Sequence, residues 1–277
     1  MKTLLVLTDF SDAATHAAKY AAIFAKQLKA ARILLFNKLP SITSIPNTPL
    51  VVNTSHEAKE ESLVHLKHLV NELRFLKHTD TELSYLAKEG KLDQLTNELI
   101  NKYQVDYVVM GLTGKSKLEQ TLIGSNTIQI AKTVNKPLLI VPESCKLSPI
   151  SKVVSVLDLF DLKQAQVVHN LLSPLLHHGH PELFVLSHDN ESIPMQSLHN
   201  HNFTAVKEKI IHYNPRFYSI GEIDVVKEVL DFSKEHDISL IVHIEKKRNL
   251  FENLFSTDIT ERIAYVSHVP VLLGKQG

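Results

Sequence analysis

The first half of the chain alternates short, wholly apolar runs with longer segments in which apolar residues recur every three or four positions. Runs without inside-out alternation predict strands buried on both faces, and the three-to-four spacing predicts helices with one buried stripe. Thr3 to Thr8 is expected as a first strand, followed by a helix capped by Ser11 or Asp12 with Ala14, Ala17, Ala18, Ala21 and Ala25 along one face. Ile33 to Phe36 predicts a second strand, the Pro40 to Pro49 stretch a long loop, and Glu57 to Leu76 a helix with Leu63, Leu66, Leu69, Leu73 and Leu76 on its stripe. Thr81 to Ala87, Leu92 to Tyr103, Tyr107 to Met110, Ser125 to Val134 and Leu138 to Val141 continue the alternation as strand, helix, strand, helix, strand. Parallel strands need helical crossovers, so this order predicts an α/β fold with an open parallel sheet. Ligands in such sheets gather beyond the carboxyl ends of the strands, where strand order reverses.

The pattern then repeats. Val105 to Pro137 and Ile238 to Pro270 align without a gap at a constant offset of 133 positions, and Leu4 to Asp9 matches Val153 to Asp158 at an offset of 149. Each half closes on a proline followed by a short apolar strand, at Pro137 and Pro270. Matched order and spacing imply a tandem duplication, with domains at 1–146 and 147–277 and a linker near Glu143 to Ser151.

Length and charge agree with two domains and narrow the partners. A chain of 277 residues holds two ordinary cores, and 30 basic side chains cancel 30 acidic ones, so no global field recruits nucleic acid or an anionic membrane. A single cysteine, Cys145, excludes an internal disulfide. The N-terminus lacks a signal-peptide layout and no apolar stretch approaches the ~18 residues of a membrane span, so a cytoplasmic protein is expected.

Three of the eight glycines lie between the fourth strand and fourth helix of the first half, as Gly111, Gly114 and Gly124, with Ser125 and Asn126 next. This G-x2-G-x9-G-S spacing suits a phosphate: glycine lets backbone N–H groups approach an anion, and the helix after it adds free N–H groups and a positive dipole end. Gly114-Lys115-Ser116 is not a Walker A loop, because Val109 occupies the required first glycine position and no helix starts directly after the Lys-Ser pair. Lys115 and Lys117 are candidates to screen phosphate charge, although loop lysines are commonly only solvated. At an offset of 133, the three glycines and Ser125 become Ile244, Lys247, Thr257 and Asp258, so the second half keeps Asp158 and loses the loop.

Together, Thr8-Asp9-Phe10-Ser11-Asp12-Ala13-Ala14, Met110-Gly111-x2-Gly114-x9-Gly124-Ser125 and Lys136-Pro137-Leu138-Leu139-Ile140-Val141 resemble the universal stress protein family of the nucleotide-binding type. The resemblance is strong over the first half and weak over the second. It implies a five-stranded parallel sheet of the adenine-nucleotide α-hydrolase-like kind in each domain, and ATP with a divalent cation, Mg or Mn, as ligand. Carried onto this sequence, it puts Asp9 at the adenine and ribose end and Met110 beside base or sugar. Gly111, Gly114, Gly124, Ser125 and Asn126 fall around ribose and phosphates. Asn37 falls where a strand-two residue closes over the base, a position at which the family usually carries a small apolar residue. The resemblance also implies pairing through the fifth strands, so Leu138 to Val141 should lie against Val271 to Leu273, with a proline at Leu139 or Leu272 expected to part them.

The chemistry of the residues is otherwise sparse. The sixteen histidines include His177-His178-Gly179-His180, His199 and His201, in no standard zinc spacing, and His65 and His68 read as an exposed helix face. No Ser-His-Asp order or paired-carboxylate motif marks a catalytic centre, and Cys145 has no visible activator. The leading expectation is a stress-linked regulatory protein holding one adenine nucleotide in its first domain. It would pair its two domains, or two chains as a homodimer, and act on a protein partner that the sequence does not identify. The competing readings are a slow nucleotide hydrolase or phosphotransferase on the same fold, and a nucleotide-free interaction module.

Overall fold

A computed structural model describes residues 1–40, 51–112, 125–177, 179–187, 201–221, 224–245, 262 and 267–276, with backbone alone at 51–55 and 177. The first half runs β1 (Thr3–Leu7), α1 (Asp12–Leu28), β2 (Arg32–Leu39), α2 (Val51–Leu73), β3 (Glu82–Glu89), α3 (Leu92–Tyr103), β4 (Tyr107–Leu112), α4 (Ser125–Thr133) and β5 (Leu138–Pro142). The second runs β6 (Lys152–Val156), α5 (Leu162–Leu172), β7 (Glu182–Ser187), α6 (His201–Ile210), β8 (Arg216–Ser219), α7 (Val225–Glu235), β9 (Leu240–Glu245) and β10 (Val271–Lys275).

All ten strands join one sheet in the order β3-β2-β1-β4-β5-β10-β9-β6-β7-β8. Pairing is parallel within each half and antiparallel only at the seam, where Ile140 faces Val271, Leu139 faces Leu272 and Leu138 faces Leu273. Equivalent hydrogen bonds mark the repeat: Val108 N–H donates to the Pro137 carbonyl and Ile241 N–H to the Pro270 carbonyl, both at 2.9 Å. Likewise Thr8 N–H reaches Phe36 O and Leu157 N–H reaches Leu186 O, again at 2.9 Å. The expected fold class, two tandem α/β halves each with five parallel strands flanked by helices, is the one observed, with the halves joined edge to edge into one sheet.

The seam also corrects one expectation. Residues of a strand send their N–H and C=O groups alternately to either side, and Pro137 O and Pro270 O point at β4 and β9. Leu139 and Leu272 therefore aim their N–H groups away from the seam. Leu138, Ile140, Val271 and Leu273 carry the hydrogen bonds across it.

Helix boundaries follow local chemistry. Ser11 is the N-cap of α1, its hydroxyl accepting from Ala14 N–H at 3.2 Å, and the alanine face is buried against the sheet. The expected second helix starts earlier, at Val51, and ends earlier, at Leu73, after which Leu76 N–H and Lys77 N–H both return to the Leu73 carbonyl. Leu66, Leu69 and Leu73 form its buried stripe, while Leu63 and Leu76 pack at the margin.

Residues 143–151 are fastened to α1 rather than hanging between the halves. Gln27 Nε2 donates to Ile150 O at 2.7 Å and Ile150 N–H donates to Gln27 Oε1 at 2.9 Å, a buried two-bond clasp like a rung of β-ladder. His16 Nε2 lies 2.9 Å from the Cys145 carbonyl oxygen. Two independent anchors fix the linker on the first half.

Candidate functional site

β1 lies between β2 and β4, and the chain leaves its end in one direction and returns to its other side from α3, so the strand order reverses there. Beyond the carboxyl ends of these strands lies a cleft of about 710 Å³. Asp9, Phe10 and Ser11 line it from the turn after β1, Asn37 and Lys38 from β2, Met110 and Gly111 from β4, and Asn126 from α4. Glu61, Ser62 and His65 of α2 form a further wall. Of the candidate residues, the structure thus brings Asp9, Asn37, Met110, Gly111 and Asn126 to one cavity, and Ser125 sits exposed as the first residue of α4. Gly114, Gly124, Lys115 and Lys117 lie outside the described residues, as do Lys247, Thr257 and Asp258 of the second half.

The turn after β1 is knitted by short hydrogen bonds. Asp9 Oδ1 accepts from Ser11 N–H at 3.1 Å and from Ser11 Oγ at 2.6 Å, and Phe10 N–H donates to Thr8 Oγ1 at 3.1 Å. Ser11 therefore caps the helix while Asp9 orients the cap. Among the described residues Asp9 Oδ2 has no hydrogen-bond partner, so one carboxylate oxygen is free for a ligand. Phe10 sits between them at φ 66°, a left-handed conformation that costs a bulky residue about 1–3 kcal/mol. Its ring meets His65 with centroids 5.1 Å apart.

Asn37 is 8 % exposed, and its carboxamide is largely committed. Nδ2 donates to the Thr8 carbonyl at 2.7 Å, and Oδ1 accepts from Ser62 Oγ at 2.9 Å. These bonds tie the end of β1 to β2 and α2, and they carry β2 past the polar residues at which its apolar run stops. β2 extends to Leu39, whereas its last partner in β1 is Leu7, opposite Phe36. Phe36 O faces β1, so by alternation Lys38 presents its backbone N–H and C=O on the same side, where β1 has ended. A donor and an acceptor thus stand together at the cleft.

Gly111 lines the cleft and also has a steric reason to be glycine. A Cβ there would collide with Ala13 O and lie 2.8 Å from Ala14 N, so only glycine lets β4 touch the backbone at the start of α1. Met110 beside it is buried at 7 % exposure.

The thiol of Cys145, the one cysteine, is pushed up by burial to about 12, and it is not a thiolate at neutral pH. In the second half, burial lowers His243, the counterpart of Met110, to about 4, which keeps its imidazole neutral. Among the described residues no cluster of three His, Cys, Asp or Glu side chains is arranged to hold a metal, and no helix is long and apolar enough to cross a membrane.

Phe10, Lys38, Glu61, Ser62 and His65 are among the lining residues that sequence reasoning did not single out for the site. Phe10 stood inside the motif between Asp9 and Ser11, and its position there was the available signal. His65 had none, because its helical spacing with His68 marks a face without saying what that face looks on.

A profile of the universal stress protein family matches residues 1–142. Universal stress protein MJ0577 of Methanocaldococcus jannaschii is 30 % identical over 153 residues, which cover 50 % of this chain and 94 % of the relative. Universal stress protein MJ0531 of the same organism is 28 % identical over 149 residues, covering 52 % and 84 %. The fold likeness extends further: a universal stress protein from Archaeoglobus fulgidus DSM 4304 superposes with a TM-score of 0.73 over 99 % of this chain and 98 % of its own, at 16 % identity. With a profile spanning half its length and the strands of that half ending at one cleft, the chain belongs to the universal stress protein family.

Proposed function

We propose that the protein is an adenine-nucleotide-binding regulator that holds one ATP, with a divalent cation, in the cleft of its first domain. The observation that carries this reading is the convergence of Asp9, Asn37, Met110, Gly111 and Asn126 on one cavity at the switch point of the sheet. The backbone pair of Lys38 offers a donor and an acceptor suited to the edge of an adenine ring. The free oxygen of Asp9 suits a ribose hydroxyl. The segment carrying Gly114 and Gly124 leads into the N-terminus of α4, where Ser125 and Asn126 meet phosphate oxygens. Among the described lining residues two carboxylates, Asp9 and Glu61, stand against one lysine, Lys38, so a polyphosphate gains from a bound cation such as magnesium or manganese.

The domains at 1–146 and 147–277 then differ in role. The first binds, and the second, with side chains at every glycine position of the motif, supports it without a nucleotide of its own. A regulatory role fits a cleft whose serine–carboxylate contact, Ser11 Oγ to Asp9 Oδ1, is taken up in capping α1. The test is mass spectrometry of ligand released from freshly purified protein, with titration calorimetry using ATP and magnesium. Co-purified or titrated adenine nucleotide at one per chain is expected. No nucleotide by either method, or two per chain, would overturn the reading.

A further inference from the structure

Helix α4 is held at its far end by the other half of the molecule. Lys275, at the end of β10, donates from Nζ to the Val134 carbonyl at 2.7 Å, across the seam between the halves. Val134 follows the last residue of α4, so the ammonium sits at the helix C-terminus, where unpaired carbonyls concentrate partial negative charge. Among the described residues, Thr133 Oγ1 donates within the last turn to Gln129 O at 2.7 Å, and Asn97 Nδ2 lies 3.5 Å from Thr133 O, at the limit of hydrogen bonding. Lys132, in the last turn, has its own interaction.

A helix as short as α4 is marginal alone and takes its place from tertiary anchors. Its buried anchors are Thr127 and Ile130, and the charged bond from Lys275 fixes the end beyond them. The opposite end of this same helix carries Ser125 and Asn126. Lys275 itself stands beside Glu245 in the β9–β10 register, and burial lowers the lysine while raising the glutamate. The arrangement has no mirror image. Lys275 corresponds to Pro142 and Val134 to Ser267 in the repeat, and Pro142 has no side-chain donor.

We infer that Lys275 is a positioning residue through which the second half sets the register of α4 at the phosphate end of the first-half cleft. This rests on the functional reading above. It makes the asymmetry of the seam part of ligand binding: the half that lacks the glycine motif supplies the clamp for the half that has it. Removing the clamp should loosen the phosphate end and leave the base and ribose end, built on β1, β2 and β4, as it was.

The experiment compares the full-length wild type with Lys275→Met, which keeps the stem without the charge, and Lys275→Arg, which keeps the charge. Calorimetry measures ATP with magnesium and, separately, adenosine, and hydrogen exchange follows the amides of Ser125–Thr133 without ligand. Lys275→Met should bind ATP about threefold to tenfold more weakly and adenosine as the wild type does, with faster exchange confined to α4, and Lys275→Arg should recover most of the loss. Unchanged ATP affinity in Lys275→Met, equal loss for adenosine, or unchanged exchange in α4 would overturn the inference. A wild type that binds neither ligand would refute the functional reading instead, and exchange in α4 alone would then decide whether Lys275 holds the helix.

Discussion

The end of β4 and the end of β9 are the same place in a repeated fold, and they are built in opposite ways. At β4 the chain places Gly111, and the strand touches the backbone of Ala13 and Ala14 at the start of α1. At β9 the same position is Ile244, a side chain 8 % exposed within the hydrophobic core. The turns after β1 and β6 still agree: Asp9 accepts from Ser11 N–H, and Asp158 accepts from Phe160 N–H at 2.9 Å. What changes is the closure around the turn. In the second half Asp161 caps α5, Gln164 Oε1 accepts from Asp158 N–H at 3.1 Å, and Gln276 Nε2 lies 3.3 Å from Asp161 Oδ1. A duplicated fold keeps its backbone turn because the sheet needs it, while the side chains that close around the turn diverge.

The largest expected effect breaks the seam that holds the two halves side by side. Ile140→Pro or Leu273→Pro removes a donor from the β5–β10 ladder and should separate the halves, seen as a larger radius in small-angle scattering and a lower melting point. A wild-type radius and melting point in both variants would show that the ladder does not hold them. Leu139→Pro and Leu272→Pro should instead damage the β4–β5 and β9–β10 pairings within each half.

Next comes the contrast at the strand ends. Gly111→Val drives a side chain into the backbone of Ala13 and should destabilise the fold by about 1–3 kcal/mol in urea titrations while abolishing nucleotide binding. A Gly111→Val chain as stable as the wild type would mean that β4 does not need its glycine for packing.

A smaller and more selective change lies in the glycine motif. Gly124→Val should weaken ATP binding at least tenfold, about 1.4 kcal/mol, in a chain that keeps its melting point, whereas Lys247→Ala in the second half should leave affinity alone. Calorimetry on both variants tests the asymmetry, and equal losses would erase it. The smallest effect is expected at His65, whose ring is 55 % exposed beside Phe10. His65→Ala should shift stability by no more than about 0.5 kcal/mol and lower ATP affinity about twofold, and a large loss of stability would make the residue part of the core.

Much of this architecture is legible in the chain because its signals are local or periodic. Leu92–Tyr103 appears as α3 with the expected limits, and the buried runs at β1, β4 and β5 differ from expectation by two residues at most. The apolar run predicts β2 only from Ile33 to Phe36, and the bonds from Asn37 to Thr8 and Ser62 explain why the strand continues through Asn37 and Lys38 to Leu39.

The sequence by itself determined the α/β alternation and the repeat, which rest on spacing and survive without knowledge of what lies opposite. Its resemblance to the universal stress protein family implied the pairing of the last strands and pointed to Asp9, Asn37, Met110, Gly111 and Asn126, which line the cleft. Tertiary structure alone decided which seam residues carry hydrogen bonds, because facing is set by register across strands. It also decided that Gly111 serves helix packing, that His65 looks on the cleft, and that Lys275 reaches the end of α4, 141 positions away in sequence. Those contacts join residues with no shared period, and only the folded chain brings them within range of one another.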